Sequence, residues 1–120
     1  MDCIFCQIRD GQIPSTRVYE DERTIAFMDI NPLNEGHCLV IPRGHAPTIF
    51  EAADADLHAA IVTAKRVATA IRTALGPEGL NVLQANGAAA FQSVAHFHLH
   101  LVPRWTGDGI GIQGVLEAAG

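Results

Sequence analysis

The longest regular hydrophobic pattern of the chain lies between residues 54 and 75. Apolar side chains recur there in steps of three and four, at Leu57, Ile61, Ala64, Ala68, Ile71 and Leu75. This spacing keeps them on one face of an α-helix, because a helix turns once in about 3.6 residues. Asp54 is expected to cap the start of the helix, and Gly76 followed by Pro77 is expected to end it. The pattern therefore predicts one long amphipathic helix.

Shorter apolar runs on both sides of this helix have the length and composition of β-strands. We interpret four segments as strands, namely residues 24–30, 37–42, 80–86 and 95–103, and residues 17–20 as a fifth. Turns of a few residues separate several of them, which favours antiparallel pairing. The sequence thus predicts an α+β fold, in which a mostly antiparallel five-stranded sheet carries the long helix on one face.

Composition and charge limit the classes of protein to which the chain can belong. With 120 residues, of which 48% are apolar and 18% charged, it has the size of one globular domain, residues 1–120. Eight basic and thirteen acidic residues give a formal charge of -5, so we expect no nucleic-acid partner. Charges interrupt every long apolar run and the first residues have no leader pattern, so we expect neither a membrane partner nor export.

The cysteines and the glycine-rich end of the chain complete this first description. Cys3, Cys6 and Cys38 are few and odd in number, which argues against the disulfide framework of a secreted protein. The predicted location is therefore the cytoplasm. The segment from about residue 106 is rich in glycine, and we expect it to be a flexible tail.

Near the end of the chain, three histidines alternate with apolar residues. In a strand, His96, His98 and His100 all project from one side, while Phe97 and Leu99 enter the other. Three adjacent imidazoles have little value for packing, so they indicate a functional site. Two chemistries fit them: a metal site with three histidine ligands and an open position, or a nucleophilic histidine supported by two neighbours.

Neutral polar residues stand just upstream of the histidines. Asn86, Gln92 and Ser93 suit the oxygens of a phosphate group, whereas a catalytic metal site usually has a nearby carboxylate as its base. Chemistry at phosphorus is therefore favoured. A zinc-dependent hydrolase that uses the three histidines as catalytic ligands stays the alternative, and so does a nucleotide-binding scaffold protein with negligible turnover.

A second candidate site lies at the start of the chain, where Cys3 and Cys6 form a Cys-x-x-Cys pair. Such a pair is half of a four-ligand zinc site. A redox pair is the other interpretation, although a redox pair usually opens a helix that follows a strand, and no strand is predicted before this one. From the pair alone, both interpretations stay open.

The run from Gln92 to Val102, QSVAHFHLHLV, resembles the signature of the histidine triad (HIT) superfamily. Other stretches resemble its Hint-like branch and occur in the expected order: CIFC from residue 3, VYED from residue 18, AFMDI from residue 26, GHCLVIP from residue 36, His45, and the pair Asn86-Gly87. The resemblance covers the chain from Cys3 to about Arg104. It implies a HIT-like fold, with a short N-terminal helix besides the long one, and a homodimer.

The resemblance also implies an activity, that of a hydrolase or transferase acting on the α-phosphate of nucleoside 5'-phosphate derivatives. His98 would attack the phosphorus, and water would then resolve the nucleotidyl-histidine. His100 and Ser93 would bond the phosphate oxygens and the leaving group, and His96 and His37 would complete the catalytic group. The purine nucleotide substrate stays open between a nucleoside phosphoramidate, an adenylated amine and a dinucleoside polyphosphate.

A set of nucleotide contacts follows from the same resemblance. Asp29 would accept hydrogen bonds from both ribose hydroxyls. On the phosphate side the implied contacts are Asn86, Gln92, Ser93 and Val94, and around the base they are Ile4, Phe5, Ile8, Phe27, Ile30 and Leu39. Phe91 departs from the family, which usually has glycine at this position. Arg104 adds a positive charge near the rim of the predicted pocket, and this charge would be compatible with a polyphosphate substrate.

Zinc is the only cofactor that the resemblance implies, and no organic cofactor is expected. In some bacterial Hint-like proteins a cysteine pair joins two histidines to bind zinc, and the matching residues here are Cys3, Cys6, His45 and His96. Two thiolates and two imidazoles close a tetrahedral site and leave no open position for a substrate. The zinc would therefore be structural.

Overall fold

A computed structural model describes residues 3–118, in which five strands form one antiparallel sheet with a helix on each face. The elements in chain order are α1 (Ile4–Arg9), β1 (Arg17–Glu20), β2 (Thr24–Met28), β3 (Cys38–Pro42), α2 (Asp54–Leu75), β4 (Gly79–Leu83), a 3₁₀ turn (Ala88–Ala90), β5 (Leu99–Arg104) and α3 (Ile112–Ala118). Residues 1, 2, 119 and 120 of the predicted domain lie outside the described residues. The predicted α+β fold is confirmed, including the short N-terminal helix.

The order of the strands across the sheet is β1-β2-β3-β5-β4, and each neighbouring pair is antiparallel. Strand β5 lies inside the sheet, where His100 is opposite Leu39 of β3 and Leu83 of β4. Ladder hydrogen bonds on both sides restrict the backbone of a central strand. The last histidine of the triplet therefore stands on a strand whose backbone is bonded on both sides.

The long helix α2 has the bounds that its hydrophobic pattern predicts, Asp54–Leu75. Its buried side chains are Ala60, Thr63, Ala64, Val67 and Ile71, and they pack on one face of the sheet. The predicted apolar stripe is wrong at Ile61, which is 54% exposed. Small side chains at positions 60 and 64 allow close approach to the sheet, so the helix turns that face inward.

The sequence predicts the cap at the end of α2 correctly but not the cap at its start. Gly76 ends the helix in the left-handed conformation with φ of 61°, as predicted, and its N–H bonds the carbonyl oxygen of Arg72. The predicted cap at the start is wrong, because Ala53 is the N-cap residue and no side chain caps the helix. Asp54 and Asp56 lie instead in the first turn, where carboxylates interact favourably with the helix dipole.

The two faces of the sheet carry separate hydrophobic clusters. On the α2 side, the strands contribute Ala26, Val40, Leu99 and Leu101. On the opposite side, α1 packs against the strand residues Ile25, Phe27, Leu39 and Ile41. Consecutive residues of β2 and β3 alternate between the two clusters, because successive side chains of a strand point to opposite faces. Both faces of the central strands are thus buried, and α1 covers the face opposite α2.

Strand β5 begins at Leu99, whereas the sequence predicts a start at residue 95. His96 and His98 therefore precede the paired part of the strand. In this stretch the backbone bonds outside the ladder, since the N–H of Phe97 donates to the carbonyl oxygen of Ala46 at 2.7 Å. The predicted alternation nevertheless extends through this stretch, because Phe97 packs in the α2-side cluster together with Leu99.

The glycine-rich segment after β5 contains the helix α3, which the hydrophobic pattern does not predict. Val115 of this helix is 1% exposed, and an ion pair of 2.8 Å between Arg104 and Asp108 precedes the helix. The flexibility of the tail stays a prediction. Within residues 3–118, no helix has the combination of length and apolar character that crossing a membrane requires.

Candidate active site

A cavity of about 450 Å³ lies on the α1 side of the sheet, beside the start of β5. Its wall contains the six residues predicted around the base, which are Ile4, Phe5, Ile8, Phe27, Ile30 and Leu39. Its remaining predicted residues are Asp29, Ser93, Val94, His98 and His100. An apolar cleft with a few convergent polar groups is the usual form of a small-molecule site.

Six residues that line the cavity are not predicted from the sequence, namely Ile13, Pro14, Ser15, Met28, Asn31 and Glu117. Met28 and Asn31 flank the predicted pair Asp29-Ile30 along the chain, so this adjacency could have indicated that they line the cavity. Glu117 belongs to α3 and lies far along the chain from the other lining residues. Nothing in the local pattern joins it to the site, and only the folded chain places it there.

His98 is oriented by a hydrogen bond of 2.6 Å from its Nδ1 to the carbonyl oxygen of His96. A carbonyl oxygen only accepts, so Nδ1 carries the proton and Nε2 keeps the lone pair. Burial lowers the pKa of His98, which keeps the ring neutral near pH 7. The ring of Phe5 packs edge-on against it, with the centroids 5.0 Å apart. A neutral, oriented imidazole in a cavity wall is what nucleophilic attack requires.

His100 is oriented by a second buried histidine, His37, which is 1% exposed. The Nδ1 atom of His37 accepts the backbone N–H of Leu33 at 3.0 Å, and its Nε2 lies 2.9 Å from Nδ1 of His100. The neutral His37 ring therefore carries its proton on Nε2 and donates it to His100. Burial lowers the pKa of His37, and the negative charge of Asp29 opposes this shift.

Asp29 follows β2 directly and brings a carboxylate to the cavity. Its Oδ1 accepts the backbone N–H of Asn31 at 2.8 Å, and its Oδ2 lies 3.4 Å from Nε2 of His37. The side chain is 17% exposed, so a ligand in the cavity can reach it. A carboxylate held in this way has lone pairs that can accept two hydroxyl groups.

The side chains of Asn86 and Gln92, which are predicted at the phosphate, are not among the residues that line this cavity, and their contact with phosphate stays a prediction. The Oδ1 of Asn86 accepts the N–H of Ile49 at 2.7 Å, and the Nε2 of Gln92 donates to the carbonyl oxygen of Pro47 at 2.6 Å. The Oε1 of Gln92 accepts the N–H of Gly87 at 2.7 Å. Irregular segments need side-chain partners for their backbone groups. Both amides therefore tie residues 86–92 to residues 47–49.

Phe91, in the position where the resemblance expects glycine, has φ of 72°, and within residues 3–118 it is the one non-glycine residue with positive φ. This left-handed conformation costs an L-residue about 1–2 kcal/mol, and glycine adopts it freely. The ring is 49% exposed. The loop geometry therefore gives a physical reason for glycine here, and this chain tolerates a strained residue directly before Gln92.

The four predicted zinc ligands, Cys3, Cys6, His45 and His96, come together, and their ligand atoms all lie within 4.8 Å of one another. The Nδ1 atom of His96 is 3.4 Å from Sγ of Cys3 and 3.2 Å from Nδ1 of His45. In a tetrahedral zinc site, two nitrogens are about 3.3 Å apart, and a nitrogen and a sulfur about 3.6 Å. The donor set and its spacing therefore fit a structural zinc ion.

The imidazole of His96 belongs to this cysteine cluster and not to the cavity. Its Nε2–H donates to the carbonyl oxygen of Pro42 at 2.9 Å, which leaves the Nδ1 lone pair facing the sulfurs. Burial lowers the pKa of His96 to about 4. Among the described residues, the groups that could hold a metal do not join His96 with His98 and His100. A catalytic metal on all three histidines is therefore not supported.

Comparisons with known proteins identify the family of this chain. The family model of the HIT domain matches residues 10–107. "Protein hit" of Bacillus subtilis is 46% identical over 111 residues, which are 92% of this chain and 77% of that protein. An adenosine 5'-monophosphoramidase of Schizosaccharomyces pombe is 43% identical over 104 residues, which are 87% of this chain and 75% of that one.

A solved structure shares the fold over nearly the whole chain. A zinc-bound histidine triad family protein from Mycobacterium smegmatis superposes with a TM-score of 0.88 at 36% identity, and the match covers 99% of this chain and 93% of that one. The fold of this chain is thus one that a known histidine triad family protein shares. The chain belongs to the HIT family.

Proposed function

We propose that this HIT protein is a nucleotide hydrolase that acts at the α-phosphorus of nucleoside 5'-phosphate derivatives through a covalent nucleotidyl-His98. The observation that carries the proposal is the neutral His98 ring in the cavity wall, with its proton held on Nδ1 by the carbonyl group of His96. The relationship to an adenosine 5'-monophosphoramidase supports it. The apolar wall would hold a purine base, and Asp29 would bind the ribose hydroxyls.

The reaction has two displacement steps. In the first, Nε2 of His98 attacks the α-phosphorus, a P–N bond to His98 forms, and the bond to the leaving group breaks. The leaving group takes a proton donated by the N–H of His100 or the hydroxyl of Ser93, and these donors also stabilise the negative oxygens. In the second step, water attacks phosphorus and returns one proton to the group that gave its proton to the leaving group, the P–N bond to His98 breaks, and the nucleoside monophosphate leaves.

The charges around the cavity favour an amine as the leaving group. Among the described residues, no lysine or arginine lines the cavity, whereas the carboxylates of Asp29 and Glu117 do. Arg104, which was expected near the rim, bonds Asp108 and Asn81, each at 2.8 Å. A polyphosphate leaving group would bring several negative charges without a cation to meet them. We therefore propose a purine nucleoside phosphoramidate or an adenylated amine as the substrate.

The direct test follows AMP release from adenosine 5'-phosphoramidate, and traps the intermediate by acid quenching and intact-mass measurement. We expect the wild type to release AMP and to gain the mass of one adenylyl group during turnover. His98→Ala should do neither. His58→Ala, at an exposed histidine of α2, is the matched control and should behave as the wild type.

Two other results would contradict the proposal. AMP binding without release in any sample would indicate a nucleotide-binding scaffold. Release that stops when a chelator is added to a protein that stays folded, without an adenylyl adduct in untreated samples, would indicate a zinc-dependent hydrolase. Circular dichroism of the treated sample separates this result from unfolding.

We further propose that Cys3, Cys6, His45 and His96 hold structural zinc. When bound, the ion supplies no reaction chemistry, since four protein ligands complete its tetrahedral set. The residues would join the start of α1 to the segments that carry His45 and His96. A staple of this kind stabilises a small domain, and occupancy at about 100 times Kd contributes about 2.7 kcal/mol.

Metal analysis tests the zinc proposal. The purified protein should contain one zinc per chain, and Cys6→Ser should contain much less and unfold at a lower temperature. Cys38→Ser is the matched control, because Cys38 is also buried but lies outside the cluster. Well under one zinc per chain in the wild type would contradict the proposal, as would equal zinc content in the two variants.

A homodimer is the assembly that we propose. Strand β4 is at one edge of the sheet, and Val82 on it is 49% exposed. Ile61 and Val62 of α2 are 54% and 48% exposed. An open edge strand and exposed apolar residues favour association, and a two-fold axis would let both copies use the same surface. Light scattering should give twice the chain mass; a monomer at micromolar concentration would contradict this.

The cytoplasm is the location that we propose for this protein. Cys3, Cys6 and Cys38 are not joined in disulfides. Zinc binding by thiolates requires reduced cysteines, which a reducing compartment maintains. Fractionation of the native host should therefore recover the protein with cytoplasmic markers, and recovery with an exported fraction would contradict this location.

A further inference from the structure

The loop between β2 and β3 carries a chain of hydrogen bonds that ends at the candidate active site. At its start, the backbone N–H of Leu33 donates to Nδ1 of His37 at 3.0 Å. A backbone N–H cannot accept, so Nδ1 of His37 must keep its lone pair. The neutral ring then has its single proton on Nε2, and the backbone of Leu33 decides this tautomer.

The tautomer of His37 decides that of His100 in turn. Nε2 of His37 lies 2.9 Å from Nδ1 of His100, so a proton on the first atom requires a lone pair on the second. The neutral His100 ring therefore carries its proton on Nε2. His100 is thus kept as a hydrogen-bond donor for a ligand in the cavity that it lines.

Asp29 does not reverse this direction. Its Oδ2 lies 3.4 Å from Nε2 of His37 and 4.0 Å from Nδ1 of His100. A carboxylate accepts, so it also favours the proton on Nε2 of His37. Two acceptors lie near Nε2 of His37, namely Nδ1 of His100 and Oδ2 of Asp29, and both suit a proton on that atom. The one donor that holds the lone pair on Nδ1 of His37 is the N–H of Leu33.

A tight turn places that donor. The N–H of His37 bonds the carbonyl oxygen of Asn34 at 3.1 Å, and Gly36 in this turn has φ of +82°. A Cβ on Gly36 would lie 2.5 Å from Cδ1 of Leu75, so the turn sits directly on the end of α2. Only glycine combines this conformation with this close approach.

The side chain of Asn34 fastens the turn to the rest of the protein. Its Nδ2 donates to the carbonyl oxygen of Pro103 at 2.9 Å and to Oδ2 of Asp108 at 3.0 Å. Asp108 in turn accepts from Nε of Arg104 at 2.8 Å and from the N–H of Trp105 at 3.1 Å. The guanidinium group of Arg104 holds the pKa of Asp108 below its ordinary value, so the acceptor stays ionised.

We propose that Asn34 is a positioning residue for the reaction at His98. By fixing the turn against β5 and Asp108, Asn34 holds the N–H of Leu33 on His37 and so keeps His100 in its donor state. The inference rests on the proposed function, because the donor of His100 matters only if charge develops on a leaving group or a phosphate. Asn34 lies outside the cavity and acts only through these intermediates.

The test uses the full chain and two readouts. Long-range ¹H–¹⁵N correlation of the histidine rings near pH 7.5 reports which nitrogen carries the proton, and steady-state kinetics with adenosine 5'-phosphoramidate separates kcat from KM. In Asn34→Ala we expect a mixture of tautomers at His37 and His100, about a tenfold loss of kcat, and KM within about twofold of the wild type. Should Asn34→Ala not fold, Asn34→Ser, which keeps one donor, should show a smaller change of the same kind.

Asn81→Ala is the matched control. Oδ1 of Asn81 accepts from Arg104 at 2.8 Å, so this variant removes a bond of the same network without touching the turn. It should keep the wild-type ring signals and kcat. Unchanged tautomers in Asn34→Ala, or the same changes in both variants, would overturn the proposal. If the wild type does not hydrolyse the substrate, the proposed function fails, and the ring signals alone still decide whether Asn34 sets the tautomers.

Discussion

Residues 96–101 present apolar side chains to one side of the sheet and imidazoles to the other. Toward α2, Phe97, Leu99 and Leu101 join a cluster of buried apolar residues. Toward α1, the imidazoles of His96, His98 and His100 are 0%, 3% and 4% exposed. The two sides are equally buried, but only the α2 side is stabilised by removing apolar surface from water.

The imidazole side differs because burial disfavours the charged form of each ring. Burial lowers the pKa of both His96 and His98, and each of these rings has a backbone carbonyl oxygen as partner for one N–H. A buried polar group without a partner would cost several kcal/mol. The comparison shows how a single extended segment separates the two tasks, with packing on one side and oriented, neutral nitrogens on the other.

The largest expected effect comes from removing one ring on the imidazole side. His98→Ala should lower kcat for AMP release by at least about 10³-fold, which corresponds to about 4 kcal/mol of activation free energy. Its free energy of unfolding should fall by only about 1 kcal/mol, because the ring lines a cavity in which water can replace it as the partner of the His96 carbonyl oxygen. Rate measurements and urea unfolding check both parts. A variant that loses stability and keeps its activity would reverse the assignment of the two sides.

The matching change on the apolar side should have the opposite pattern. Leu101 is 0% exposed, and Leu101→Ala should lower the free energy of unfolding by about 3 kcal/mol through the lost burial and the cavity left behind. The folded fraction should keep its activity. Val18→Ala, at a residue that is 46% exposed, is the control and should change stability much less. Equal losses of stability in the two variants would contradict this account.

The pH dependence of stability sharpens the comparison further. Burial lowers the folded-state pKa of His37 below its ordinary value of 6.5, so below that pH the unfolded chain binds more protons than the folded one. The stability that the neutral His37 ring contributes is therefore fully present above about pH 6.5, and it is lost as the pH drops toward the folded-state pKa. Urea unfolding near pH 7.5 and pH 5.5 should show a smaller loss for His37→Gln than for the wild type. His58→Gln, on the exposed face of α2, should keep the wild-type loss; an equal loss in His37→Gln would contradict the role of burial.

The smallest expected effect lies in the loop before the histidines. Phe91→Gly should raise the free energy of unfolding by about 1 kcal/mol, because glycine adopts the left-handed conformation without strain. Ala90→Gly, one residue earlier in the 3₁₀ turn, is the control and should not stabilise the protein. A destabilised Phe91→Gly would mean that contacts of the ring outweigh the strain of its backbone.

Several features of the fold can be predicted from the sequence because they depend on local order. The steps of three and four from Leu57 to Leu75 predict α2, and Gly76 with Pro77 predicts its end. The alternation around His98 correctly separates the apolar side chains from the imidazoles. Local patterns fail at Ile61 and at the start of β5, because the inward face of a helix and the first paired residue of a strand depend on the partner surface.

The sequence by itself determined which residue types are available for chemistry: the histidine triplet, the cysteine pair, Asp29, and the family to which their spacing points. Only the tertiary structure decided how these groups are used. It turned His96 toward the cysteines, placed the amides of Asn86 and Gln92 on backbone groups, and brought Asn34 and Asp108 together behind His37. The reason is that a hydrogen bond or a ligand set depends on distances between residues far apart in the chain, and folding sets those distances.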